Sequence, residues 1–280
     1  MKSALPLHLV LDIGNSQVTG AFYKDDEITH LFRIDQGGQL LPDLERNLAI
    51  QTSPISTAFI TSVNHLASIK VERLLQLANI PILHLRRDSL SIDLNVESVE
   101  AVGADLIANT YGALSRYPGN SIVVDLGTAL TVQAVGADRS FLGTVISPGP
   151  MIAARALSDH TDALPIVNFA KPKNCLGRAT IPSIQSGLYY GILGTIEKLV
   201  SRIQSEVFAD SPAVVIATGG ITETLSNGAR GGSPTAQALS EDLSSVVDYF
   251  DPELTVSGVY EIFKEQYAQH LNQFLEPSVL

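Results

Sequence analysis

The sequence predicts an α/β chain built as two related halves, with mixed β-sheets carrying helices on their faces, and three observations carry that expectation. An apolar run, Leu9-Val10-Leu11, reaches Asp12-Ile13-Gly14-Asn15-Ser16, and a near copy returns as Ile122-Val123-Val124 before Asp125-Leu126-Gly127-Thr128-Ala129, offset by 125 − 12 = 113 residues. Each D-x-G is followed by a second β-prone run, at 17–23 and 130–135, so the glycine and its small neighbours form a hairpin turn. After the first hairpin the pattern changes from antiparallel strands to β-α-β order, which calls for a mixed sheet covered by helices.

The elements follow in order. Four or more apolar, β-rich residues in a row suit a strand buried on both faces, which describes both runs before the D-x-G turns. Asp25-Asp26-Glu27 is a polar turn, residues 28–34 form a third strand, and Gln36-Gly37-Gly38 punctuates the chain. Residues 41–50 have helical spacing with Pro42 in the first turn, 58–64 read as a buried strand, 69–78 as a helix and 81–85 as a short strand. A helical pattern over 99–114 carries Gly103-Ala104-Asp105 near its start. The helix macrodipole favours an acid there in any case, so Asp105 also has a purely structural explanation.

In the second half, the strand at 141–146 runs into Ser147-Pro148-Gly149-Pro150, 151–158 is helical, and 165–173 is irregular. The longest helical pattern spans 183–207 and holds Gly187, Gly191 and Gly194 near one face. Interior helical glycine costs about 1 kcal/mol relative to alanine, so another backbone should pack there, either within the chain or from a second subunit. A buried strand at 213–218 ends in Thr218-Gly219-Gly220, a turn able to present backbone to a nucleotide. Residues 227–235 read as a loop, and 255–275 close the chain as a helix with Val259, Ile262, Phe263, Tyr267 and Leu271 as its apolar stripe. The repeat places the two domains at 1–115 and 116–280.

Two carboxylate turns at strand ends suit phosphate binding with its metal ion. A carboxylate holds Mg²⁺ or its waters, while backbone N–H groups and the Asn, Ser or Thr of the turn donate to phosphate oxygens. A single D-x-G is only a good turn; its recurrence on two apolar strands is what favours the site.

Composition narrows the classes. The net charge of −11 disfavours capture of nucleic acid or an anionic membrane surface. A single cysteine, Cys175, allows no disulfide framework and fits a reducing, cytoplasmic compartment. No apolar run reaches membrane-spanning length. The six histidines lack metal-ligand spacing, and no G-x-x-x-x-G-K-[ST] loop occurs.

Taken together, Asp12-x-Gly14-Asn15-Ser16, Val102-Gly103-Ala104-Asp105, Asp125-x-Gly127-Thr128-Ala129, Ser147-Pro148-Gly149, Gln185-Ser186-Gly187 and Ala217-Thr218-Gly219-Gly220 resemble the ordered motifs of the type III pantothenate kinases. The resemblance spans nearly the whole chain. It implies the actin-like (ribonuclease H-like) fold of the acetate-and-sugar-kinase superfamily, duplicated around an ATP cleft, and a homodimer that acts on pantothenate and binds neither nucleic acid nor membrane. It implies ATP-dependent phosphorylation of pantothenate, the first step of coenzyme A synthesis, with Mg²⁺ and a monovalent cation, K⁺ or NH₄⁺. Carried over by position, Asp12, Gly14, Asn15, Ser16, Gln17, Val18 and Thr19 hold the ATP phosphates, with Mg²⁺ on Asp12. Asp125 binds the monovalent cation, and Thr128, Gly219 and Gly220 contact ATP. Asp105 takes the proton of the pantothenate hydroxyl, and Gly103, Ala104, Leu106 and Thr180 complete the acceptor site.

The acceptor half departs from the family. Leu106 stands where the family has arginine, Val96 where it has tyrosine, and Ser98-Val99 where it has Asn-Pro. Losing a guanidinium and an aromatic ring from one pocket points to altered affinity for pantothenate or to one of two alternatives: a kinase of another small hydroxyl compound, or a non-catalytic regulatory homologue.

Overall fold

The computed structural model describes residues 6–219, 222 and 234–273, the last six of these as helical backbone only. The first elements along the chain are β1 (Leu7–Ile13), β2 (Gln17–Lys24), β3 (Glu27–Asp35), α1 (Leu40–Ala49), β4 (Ile55–Ser62), α2 (His65–Leu77) and β5 (Ile82–His84). Next come β6 (Asp93–Leu94), α3 (Ala104–Arg116), β7 (Ser121–Leu126), β8 (Ala129–Gly136), β9 (Ser140–Pro148) and α4 (Pro150–Asp159). The remainder is α5 (Thr180–Glu206), β10 (Val214–Thr218), α6 (Pro234–Leu243), β11 (Tyr249–Phe250) and α7 (Leu254–Gln273).

The chain divides into two compact units, one of residues 1–93, 97–115 and 253–280, the other of 94–96 and 116–252. The sequence repeat leaves the C-terminal helix with the second half; the contacts place it with the first. Its stripe explains why. Phe263 meets His8 and Phe59, with ring centroids 5.2 and 5.3 Å away, and Tyr260 stacks on Tyr23 at 3.9 Å, so the helix covers a sheet face that would otherwise be wet.

In the first unit the sheet order is β3-β2-β1-β4-β5, with β1 antiparallel to β2 and parallel to β4. Leu7, Leu9, Leu11 and Ile13 point to one face and pack with Leu40, Leu44, Val71 and Leu75 of α1 and α2. The alternate residues, His8 and Val10, are buried on the other face, which is why β1 reads as continuously apolar. Burying each large side chain is worth about 1.5–3 kcal/mol. Helix α7 also lies on α3: a Cβ added at Gly258 would overlap the Ala108 carbonyl, and Thr255 Oγ1 donates to Asn109 Oδ1 at 2.7 Å.

In the second unit the order is β11-β10-β7-β8-β9-β6. Ile122, Val124 and Leu126 pack with Tyr189, Ile192, Ile196 and Val200 of α5 and Leu239 and Leu243 of α6. The short strands β6 and β11 and the helix α6 have no counterpart in the sequence reading. Two-residue strands carry no periodicity, and Pro234 and Thr235, read as loop, open α6. Residues 227–233 of that expected loop lie outside the described residues.

Candidate active site

Asp12 and Asp125 hold equivalent places. Each is the next-to-last residue of its strand, β1 or β7, and each lies in register between two threonines. Asp12 pairs with Thr19 of β2 and Thr61 of β4; Asp125 pairs with Thr131 of β8 and Thr218 of β10. Both carboxylates are half-buried. Thr61 Oγ1 donates to Asp12 Oδ1 at 3.0 Å, fixing that carboxylate. Thr218, fully buried, has an Oγ1 with no hydrogen-bond partner among the described residues.

The first turn is closed by Gly14 N donating to Gln17 O at 2.9 Å. Gln36 braces it: its side-chain amide donates to Gly14 O, its backbone N to Ser16 O at 2.8 Å, and Asn64 Nδ2 in turn donates to Gln36 Oε1 at 3.0 Å. Asn64 also caps α2, its Oδ1 accepting from Ala67 N at 3.1 Å, so the segment read as strand to residue 64 ends at Ser62. Asn15 and Ser16 are exposed, Gly14, Gln17 and Thr19 half-buried, and Val18 fully buried, which leaves Val18 only its backbone to offer.

The second turn is one residue tighter, with Gly127 N donating to Ala129 O at 3.0 Å. Gly149 lies against it: its N donates to Thr128 O at 3.2 Å, and a Cβ there would overlap that carbonyl and come within 2.5 Å of Gly127 O. Gly219, with φ +93°, brings the end of β10 to the same place, and a Cβ on it would come within 2.5 Å of Asp125 Oδ1. Asp125, Thr128, Gly149 and Gly219 are thus brought together, whereas Gly220 lies outside the described residues. The sequence assigned no site role to Thr61, Gln36 or Asn64, named Gly149 only within a family motif, and placed Thr218 in a nucleotide-presenting turn without a role for its side chain. The available signal for the threonines was an apolar run ending in threonine.

Asp105 stands in the first turn of α3. The helix begins at Ala104, later than the pattern read from 99, because Val99–Ala101 forms a separate 3₁₀ turn and Gly103 follows it. Its carboxyl accepts from Leu106 N at 2.9 Å. Burial pushes its pKa above the ordinary 3.8, and the backbone bonds from Leu106 and its own amide oppose the shift. A Cβ at Gly103 would overlap Asp105 Oδ1, so glycine there leaves the carboxyl its position. Ala104 and Leu106 are buried, so the Leu106 side chain belongs to the core and only its N–H reaches Asp105. Val96 follows β6, Ser98 and Val99 are exposed, and Thr180 is the exposed first residue of α5.

A sequence model of the type III pantothenate kinase family matches residues 8–202. The chain belongs to that family. Relatives so named include those of Shouchella clausii, 32% identical over 91% of this chain and 98% of its own, and Agathobacter rectalis, 31% identical over 92% and 97%. Among solved structures, a conserved putative Baf family transcriptional activator from Campylobacter jejuni superposes with a TM-score of 0.53 over 93% of this chain and 99% of its own at 21% identity. The activator of the 2-hydroxyisocaproyl-CoA dehydratase from Clostridium difficile superposes with a TM-score of 0.50 over 98% and 100% at 12% identity. The fold is the duplicated actin-like one, and the chain is a phosphotransferase of the kinase class.

The residues fit what such a kinase handles. Each strand-end turn offers a carboxylate, exposed or half-exposed hydroxyl and amide groups, and backbone kept bare by glycine, the donor set that phosphate and cations require. Among the described residues no three His, Cys, Asp or Glu side chains cluster to hold a metal. Mg²⁺ is ordinarily held by one or two carboxylates together with substrate phosphates, and Asp12 and Asp125 each offer one carboxylate. The buried, unpartnered hydroxyl of Thr218 beside Asp125 is a further oxygen suited to a cation.

Proposed function

We propose the following division of labour as this type III pantothenate kinase phosphorylates pantothenate from ATP, the opening step of coenzyme A synthesis. Asp12 holds Mg²⁺, and the turn of Gly14, Asn15, Ser16, Gln17 and the backbone of Val18, continued by Thr19, donates to the ATP phosphates. Asp125, with Thr218 beside it, holds the monovalent cation; Thr128 and the Gly219-Gly220 backbone contact ATP. Asp105 orients the pantothenate hydroxyl and takes its proton, with Gly103 leaving it room, and Thr180 contacts pantothenate. Bound Mg²⁺ supplies charge neutralisation on the phosphates; in-line transfer otherwise asks the protein mainly for positioning.

The observation that carries this reading is the repeated Thr-Asp-Thr register at the ends of β1 and β7, joined to a desolvated carboxyl at the start of α3. A raised pKa brings Asp105 nearer the working pH of a general base. Coupled ADP release with Mg·ATP and pantothenate, with and without K⁺, tests it: release should require pantothenate and rise with K⁺. The buried, apolar Leu106 keeps a second acceptor in view. Release with another small alcohol and none with pantothenate would select that reading.

The kinase is proposed to act as a homodimer through α5. Gly187, Gly191 and Gly194 are exposed, and a Cβ at any of them would meet nothing within 4 Å among the described residues, so no contact with those residues accounts for them. With Tyr190 exposed on the same helix, they leave bare backbone for a second copy.

A further inference from the structure

The segment leading to Asp105 is held by a side chain that the family motifs do not include. Arg87 Nη2 donates to Val102 O at 2.7 Å and Nη1 to Val99 O at 3.4 Å, so one guanidinium bridges both ends of the turn that hands the chain to Gly103 and α3. No carboxylate among the described residues forms an ion pair with Arg87, so these two carbonyls are its partners. The planar fork suits that bridge better than a lysine would, because its donors are fixed relative to one another.

Arg87 is itself anchored. The side-chain amide of Gln266 on α7 brackets the preceding residue, accepting from Arg86 N at 2.9 Å and donating to Arg86 O at 2.6 Å. Four residues after Arg87, Ser91 N donates to Glu265 Oε1 at 3.0 Å and to Tyr111 OH at 2.9 Å, and Tyr111 OH donates to Glu265 Oε1 at 2.7 Å. Residues 86–91 are therefore tied to α7 and to the body of α3, and Arg87 reaches from that fixed segment to the turn in front of α3.

We propose that Arg87 is a positioning residue for Asp105, acting through the Val99–Val102 carbonyls, and that it sets the geometry of the acceptor carboxylate without touching substrate. The inference rests on the reading of Asp105 given above. A misplacement of about 1 Å at a reacting group costs up to about 100-fold in rate.

The test is a double-mutant cycle on the full chain, with Asp105→Asn, Arg87→Ala, the double variant and Arg87→Lys, assayed with pantothenate and Mg·ATP. Arg87→Ala should lower kcat by about 10-fold or more, leave the KM for ATP within about 2-fold, and keep the rise in Tm caused by a non-hydrolysable Mg·ATP analogue, which shows that it folds. Arg87→Lys should fall between it and the wild type. In the Asp105→Asn background, Arg87→Ala should cost less than about 3-fold, because residues acting as one unit are not additive. Multiplicative losses, or an unchanged kcat in Arg87→Ala while Asp105→Asn is impaired, would overturn the role of Arg87 alone. Wild-type turnover in Asp105→Asn would overturn the reading of Asp105 and the Arg87 proposal with it.

Discussion

Thr61 donates its hydroxyl to the carboxylate of Asp12 at 3.0 Å, while Thr218, in the corresponding register position beside Asp125, has a buried hydroxyl with no partner among the described residues. The two halves repeat the backbone arrangement and differ in the bonding. Thr61→Val should therefore lower stability by about 1 kcal/mol through the lost bond, a fall of about 2–4 °C in Tm. Thr218→Val removes an unpaired polar atom and should leave the ligand-free protein as stable or more so. Its cost should emerge in the K⁺ dependence of activity. Equal destabilisation of the two ligand-free variants in thermal melts would refute the contrast.

Asp105→Asn should lower kcat by about 100-fold or more and leave nucleotide-induced stabilisation intact. It should also stabilise the protein at neutral pH. Burial raises the carboxyl pKa in the folded state, so folding is favoured by protonation, and the favourable contribution is lost as pH rises through the folded-state value. Asparagine removes that loss, and its advantage should shrink as pH falls toward the ordinary 3.8. For the wild type, the acid limb of kcat against pH should have its midpoint above 3.8 if Asp105 works as base. Melts of both proteins from pH 7 downward, with the rate profile, check both signs.

Gly219→Ala should be among the most damaging single-methyl changes. The position has φ +93°, and the new Cβ would lie 2.5 Å from Asp125 Oδ1 and 2.8 Å from Leu126 O. Left-handed backbone costs a non-glycine residue about 1–2 kcal/mol before any clash is counted. Displacing Asp125 should weaken K⁺ activation more than it weakens folding. A variant with wild-type Tm and K⁺ response would show that the turn gives way freely.

Gly191→Arg should fold and yet be monomeric. A Cβ at this position meets nothing within 4 Å among the described residues, and exchanging glycine for arginine inside a helix is favourable by somewhat under 1 kcal/mol. Light scattering should report a dimer for the wild type and a monomer for the variant at micromolar concentration. A dimeric variant would move the interface away from α5.

The sequence by itself determined the repeated strands, the two carboxylate turns and the first-turn place of Asp105. Each is a local pattern: an apolar run ending in D-x-G needs no distant partner to be read, and α5 and α7 declare themselves by periodicity over many turns. Val18 and Leu106, in contrast, stand inside site motifs, and only the fold shows that their side chains belong to the core. Only tertiary structure decided that α7 joins the first unit, that the glycines of α5 face open space, and that Gly149 and Gly219 lie against the Asp125 turn. The same holds for Arg87 and the carbonyls of Val99 and Val102. These relationships join residues separated by about a dozen to more than two hundred positions, and what selects them is hydrogen-bond satisfaction and close packing between elements, which exist only once the chain has brought those elements together.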